Sequence, residues 1–218
     1  MVARVWPAGR IDQQVETQLR QAFRLGHLRT PTQDIEYAIN QLVEMAVRAM
    51  SPAINDPYTA MTCLDYLGQG LALFAQKDTE ASHLWDRNGK LRLVFEPVTF
   101  AHLLHAAFDM LRHCSCDNAS VLLHMLEVID TISQGTQSPE SCQQLLIQVD
   151  LIQVESRAGA LTEPDRQLIQ RRAEALQSKL NDPARGCQGV TIMDDRGTVG
   201  QPEYTISLPT ERNNENAS

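Results

Sequence analysis

The chain has 218 residues, 43% apolar and 21% charged, with a formal net charge of -8. That length suits one compact helical domain with irregular ends, large enough to bury roughly 70% of its unfolded surface without a disulfide or structural metal. The acidic balance argues against a nucleic-acid partner, because phosphate-backbone binding rests on clustered Lys and Arg.

Cysteine usage points the same way as composition. Cys63, Cys114, Cys116, Cys142 and Cys187 form an odd set with no secretory leader before them, which suggests a reducing, intracellular setting. Cys114 and Cys116 are close in sequence, but they lack the second pair that a structural zinc site needs. No metal and no other cofactor is expected. No window approaches the ~20 consecutive apolar residues that a membrane-crossing helix requires, so the chain as given is expected to be soluble.

Residues 1–11 read as an extended lead-in, with Val2, Val5 and Trp6 apolar and Pro7 ending the run. A first helix starts near Asp12 and reaches Leu25, where Gly26 offers a stop. Pro31 and Thr32 announce a second helix, in which Ile35, Ile39, Leu42, Ala46 and Met50 keep helical spacing. Ala38, Val43 and Val47 widen its apolar stripe enough for more than one neighbour. Asp56-Pro57 is a helix-start signature: the carboxylate takes an orphan amide, and proline loses nothing at the first helical position. This third helix runs to about Gln76 through Ala60, Leu64, Leu67, Leu71 and Phe74, with Gly68 placed for close approach of another helix.

A polar excursion follows at residues 86–95, where Asn88-Gly89 signals a hairpin-type turn and Leu91 to Phe95 a short strand. A fourth helix extends from Val98 or Thr99 to Cys114. A fifth begins at Asp117 or Asn118 and turns Val121, Leu122, Met125, Leu126, Ile129 and Ile132 inward. Ser138-Pro139 opens a sixth helix ending near Gly159, and Thr162-Glu163-Pro164-Asp165 a seventh carrying Leu168, Ile169, Ala173, Leu176 and Leu180. The expected fold is therefore all-α, a bundle-like domain of about seven helices over residues 12–182. Residues 183–218 break every apolar run and read as an irregular, flexible tail.

Between the second and third helices, Arg48-Ala-Met-Ser-Pro-Ala-Ile-Asn-Asp-Pro-Tyr-Thr-Ala is the sharpest signature in the chain. Together with Cys63-Leu-Asp-Tyr-Leu, Arg29-Thr30, Gln33-Asp34-Ile35, Leu91-Arg92-Leu93 and the stretch from Phe100 to Arg112, it resembles the predicted bacterial membrane proteins of domain-of-unknown-function family 2254. The resemblance spans roughly residues 2 to 160. It implies a mostly helical carboxy-terminal region that typical members attach to amino-terminal membrane helices. On this reading the chain is a truncated member or an excised soluble portion, and no activity or catalytic residue carries over.

The candidate site is that corner, with Asp34, Arg48, Ser51, Asn55, Asp56 and Thr59. One reading makes it a small anion or metabolite pocket in which Arg48 meets the ligand and the Asp56 helix start adds amides. In the other, Ser51-Pro52 ends one helix and Asn55-Asp56-Pro57 caps the next, which accounts for most of the residues. Arg48 has Glu44 four residues before it, giving a solvated ion pair, unless it is buried against Asp34 or Asp56.

His102, His105, Asp109 and His113 follow one another at spacings of three and four, but they lack the Glu-flanked paired histidines of a zinc peptidase and read as surface or interface residues. Ser51 and Cys63 have no histidine placed by sequence to activate them, so hydrolysis is disfavoured. The expected function is helix-face interaction, assembly or regulation, with self-association through an exposed Leu or Ile of the fifth or sixth helix. A membrane-protein partner, or a missing membrane segment of the same protein, is the other expected contact. The alternative is a small-ligand sensor or enzyme built on the corner.

Overall fold

Each helix opens on a short polar side chain that accepts the amide three residues later. This satisfies a donor that the helix itself leaves unpaired. Asp12, Asp34, Asp56, Thr99, Asn118, Ser138 and Thr162 play this part for Val15, Tyr37, Thr59, His102, Val121, Ser141 and Asp165. The structure, a computed structural model, describes residues 11–22, 29–32, 34–76, 83–136 and 138–182. Its helices are α1 (Gln13–Ala22), α2 (Ile35–Ala49), α3 (Pro57–Ala75), α4 (Phe100–Cys114), α5 (Ala119–Gly135), α6 (Pro139–Ala158) and α7 (Glu163–Leu180). Among the described residues the fold is all-α apart from one small ribbon. The lead-in, Gly26 and the tail lie outside the described residues.

One start differs from the sequence reading. The second helix begins at Ile35 and not at Pro31-Thr32, because the Asp34 carboxylate captures the Tyr37 amide and fixes the first turn there. The ribbon pairs β1 (His83–Trp85) with β2 (Leu91–Val94) in antiparallel register, and its turn is organised by Asp86. The Asp86 Oδ1 accepts from the amides of Asn88 at 2.8 Å and Lys90 at 2.9 Å, while Oδ2 accepts from Arg92 Nε and Nη2 at 2.9 and 2.7 Å. Gly89 alone takes a positive φ in this turn, 70°. The result is the hairpin-type turn expected at Asn88-Gly89, built with three residues and a register shift after Leu84.

The core is centred on α5. Val121, Leu122, Met125, Ile129 and Ile132 are fully enclosed, because α3, α6 and α7 all pack on this helix. On the other side α4 packs against α2, α3 and α6, burying Leu103, Leu104, Phe108 and Leu111. Gly68 of α3 meets the side chain of Val128 on α5, where a Cβ would overlap it. The close approach expected at Gly68 is thus made to α5.

Candidate functional site

At the corner, α2 ends at Met50, whose amide donates to the Ala46 carbonyl, and the chain then reverses through Ser51. The Ser51 carbonyl accepts from the amides of Ile54 at 3.0 Å and Asn55 at 2.9 Å. Asn55 occupies the left-handed region at φ 48°, which Asn tolerates better than most residues. That twist lets the Asp56 amide return to the Ala49 carbonyl at 2.8 Å. The Asp56 carboxylate accepts from the Thr59 amide at 3.2 Å and the Thr59 hydroxyl at 2.6 Å. Those bonds, the hydroxyl's first, hold the carboxyl below its usual range.

Ser51, Asn55, Asp56 and Thr59 are therefore brought together by backbone geometry. Arg48 and Asp34 are not part of that group. Arg48 is largely exposed and pairs with Glu44 one turn back. Asp34 caps the opposite end of α2, roughly 20 Å away along the axis. There it accepts from Arg29 Nε at 2.5 Å, and this bond leads the causes that lower its carboxyl pKa. Arg29 also reaches Glu36 and lies over the Tyr37 ring, 5.7 Å from its centre.

A denser polar cluster lies between α4 and α6, and it includes His105 and Asp109, which the sequence assigned to a surface or an interface. Arg112 donates from Nη1 to Glu155 Oε1 at 2.8 Å and from Nη2 to Asp109 Oδ1 at 3.2 Å. Gln148 is fully buried and donates to Asp109 Oδ1 at 3.1 Å. His105 Nδ1 faces Asp109 Oδ2 at 3.1 Å, and this contact is the main reason its imidazole pKa is raised. Burial pushes the Asp109 carboxyl up, but bonds from His105, Gln148 and Arg112 outweigh it, and the net shift is downward. One guanidinium facing two carboxylates leaves a negative charge over, which the protonated form of His105 balances.

The cluster's sequence trace is Gln148, an amide on the buried stripe of Leu145, Val149 and Ile152. Arg112 is likewise buried in the stripe of α4. Neither belongs on an apolar face without a polar partner across the interface, and this was the available signal.

The histidines of α4 diverge. His102 turns to Glu36 on α2 at 3.4 Å, and His113 to Glu155 on α6 at 3.4 Å. His124 on α5 meets Asp65 on α3 at 2.8 Å. Among the described residues no group of three or more His, Cys, Asp or Glu is arranged to hold a metal ion. Cys63 is buried in the core, and burial pushes its thiol pKa up, away from a reactive thiolate.

The geometry defines a helical domain with a capped corner and a buried polar seam, and comparison with known proteins gives that class a family. Residues 1–131 match the family described as predicted membrane protein (DUF2254), and the chain belongs to it. It is 28% identical over 182 residues to uncharacterized proteins of Mycobacterium tuberculosis and Mycobacterium bovis, a match that covers 84% of this chain and 32% of each relative. The chain thus spans about a third of the length of these curated relatives. No solved structure matches it. No described helix is long and apolar enough to cross a membrane.

Proposed function

We propose that this domain is an assembly module of a larger membrane-protein family, and that the outer face of α3 packs against a second copy of the chain. The observation that carries the reading is the character of that face. Tyr58, Tyr66 and Leu73 are 77%, 59% and 65% exposed, and they lie on one side of the helix together with Thr62 and Gln69. The 19 residues of α3 contain one charge, Asp65, which is engaged by His124. Gly70 meets nothing within 4 Å, leaving room for a neighbouring helix. Ile54, 60% exposed, extends the patch toward the corner.

A two-fold dimer suits such a face, because one surface then serves both copies. This surface is not the one expected from sequence. Neither α5 nor α6 has a fully exposed Leu or Ile; the one large aliphatic residue that these two helices expose is Val154 of α6.

Sedimentation velocity tests the proposal. The chain should run as a dimer and Tyr66→Lys as a monomer with the same helix content by circular dichroism, because the side chain makes no core contact within the protomer. A wild-type chain that stays monomeric throughout the micromolar range would remove the self-association reading. Cross-links from Tyr66 to the remainder of a full-length relative would then identify an intramolecular seat.

A further inference from the structure

We propose that the groove between the end of α6 and the first two turns of α7 binds a phosphate-bearing anion. The groove holds about 570 Å3, and Arg157, Arg166 and Arg171 all line it. Elsewhere Arg20, Arg29, Arg48, Arg92 and Arg112 each pair with a carboxylate. The three groove arginines are instead oriented by neutral oxygens. Arg157 Nη2 donates to Gln170 Oε1 at 3.1 Å, Arg166 Nη2 to the Gly159 carbonyl at 2.9 Å, and Arg171 Nε to the Gln167 carbonyl at 3.2 Å. These bonds fix the guanidinium groups without neutralising them.

A guanidinium carries five N–H donors, so each of the three has donors left over. Arg166 Nε is enclosed and has no partner among the described residues. The acid that lines the groove, Glu163, accepts from Gln167 Nε2 at 3.1 Å rather than from an arginine. Three positive charges against one negative leave a surplus of two, which matches the ~-2 charge that a phosphomonoester carries near neutral pH. Planar forked donors are also the geometry that phosphoryl oxygens favour. In a chain of net charge -8, this is a local reversal of sign. The amides of the α7 N-terminus are not needed, since Thr162 already takes the Asp165 amide. The groove lies wholly beyond residue 131, where the family match ends.

The phosphoryl group has two sources, a soluble phosphate compound or the headgroup of an anionic phospholipid. Two measurements on the full chain separate them. One is the shift in melting temperature with inorganic phosphate against chloride at equal ionic strength. The other is co-sedimentation with vesicles containing phosphatidic acid, whose headgroup is a phosphomonoester, against phosphatidylcholine vesicles. Because Arg166 also braces the Gly159 turn, the test variant is Arg157→Gln/Arg171→Gln, in which both side chains are exposed.

Binding in at least one arm should weaken about tenfold or more in that variant, the loss expected for charge-assisted hydrogen bonds. Arg172→Gln, next along α7 but outside the groove, should leave it unchanged, and Glu163→Gln should tighten it. A phosphate response alone assigns a soluble ligand, and a vesicle response alone a headgroup. Absence of binding in both arms, binding that survives the double variant, or an equal loss in Arg172→Gln overturns the proposal.

Discussion

Arg112 and Glu155 are 43 residues apart in the chain and 2.8 Å apart in space, so this one ion pair joins α4 to α6. Both side chains are mostly enclosed, at 10% and 18% exposure, and Asp109 and His113 complete the surroundings. An enclosed pair of this kind contributes little over an apolar replacement, yet losing one partner strands the other.

Arg112→Met or Glu155→Leu alone should therefore cost about 3 kcal/mol of unfolding free energy. Arg112→Met/Glu155→Leu should lie closer to wild type than either single change, because the double variant removes the desolvated charges together. Urea denaturation of the four proteins closes this cycle. Additive losses would show that the two side chains are not coupled.

The same seam sets a pH dependence. The folded-state pKa of His105 is raised, first by its bond to Asp109. Its stabilising effect is thus complete below the unfolded histidine value near ~6.5 and is lost as pH rises through the higher folded value. Asp109 is depressed, so its contribution is present above the unfolded carboxyl value and lost as pH falls through the lower folded one. Melting temperature should decline on the alkaline side as His105 deprotonates, and His105→Gln should flatten that limb. An alkaline limb left unchanged in this variant would assign the decline to another group.

Three glycines should respond differently to alanine. At Gly68 the new methyl meets Val128 and should cost about 1–3 kcal/mol, with Gly68→Ala/Val128→Ala recovering part of the loss. At Gly159 a Cβ would overlap the Cys116 backbone carbonyl, which cannot rotate away, so no side-chain rescue is expected there. Gly70 faces open space, and Gly70→Ala should gain up to ~1 kcal/mol from helix propensity. Thermal melts rank the three, and a stabilised Gly68→Ala would show that α3 and α5 are farther apart than described.

Asn55 tests the corner. Asn55→Gly should be tolerated, whereas Asn55→Val should lose about 1–2 kcal/mol, because a branched Cβ fits poorly at positive φ. Equal stability of the two variants, measured by chemical denaturation, would mean that the turn adopts another conformation in solution.

The helix starts were legible because capping is local. Asp56, Ser138 and Thr162 each act within three residues of chain, and so does the proline that follows Asp56 and Ser138. The inward stripe of α5 was legible for a similar reason, since period alone sets which residues share a face. Partners across a seam are not encoded that way. Nothing around Arg112 specifies Glu155, and nothing around Arg157 announces Arg166 or Arg171 on the returning helix. At the corner the i,i+4 spacing made the solvated Arg48–Glu44 pair legible, while grouping Arg48 with Asp56 as one candidate site followed only from their closeness in sequence.

Substantial packing in this fold joins each helix only to those one or two steps away in the chain, as in α3 with α5, α4 with α6, and α5 with α7. Such short-range topology lowers the entropic cost of closing loops and favours rapid folding. It also grades protection along the chain. Amide protons of α3 and α5 should be the last to exchange with deuterium, while the exposed α1 exchanges first and α7, at the other end of the bundle, opens before the helices it packs on. The arginine groove would then sit where the bundle itself begins to loosen, on its last helix.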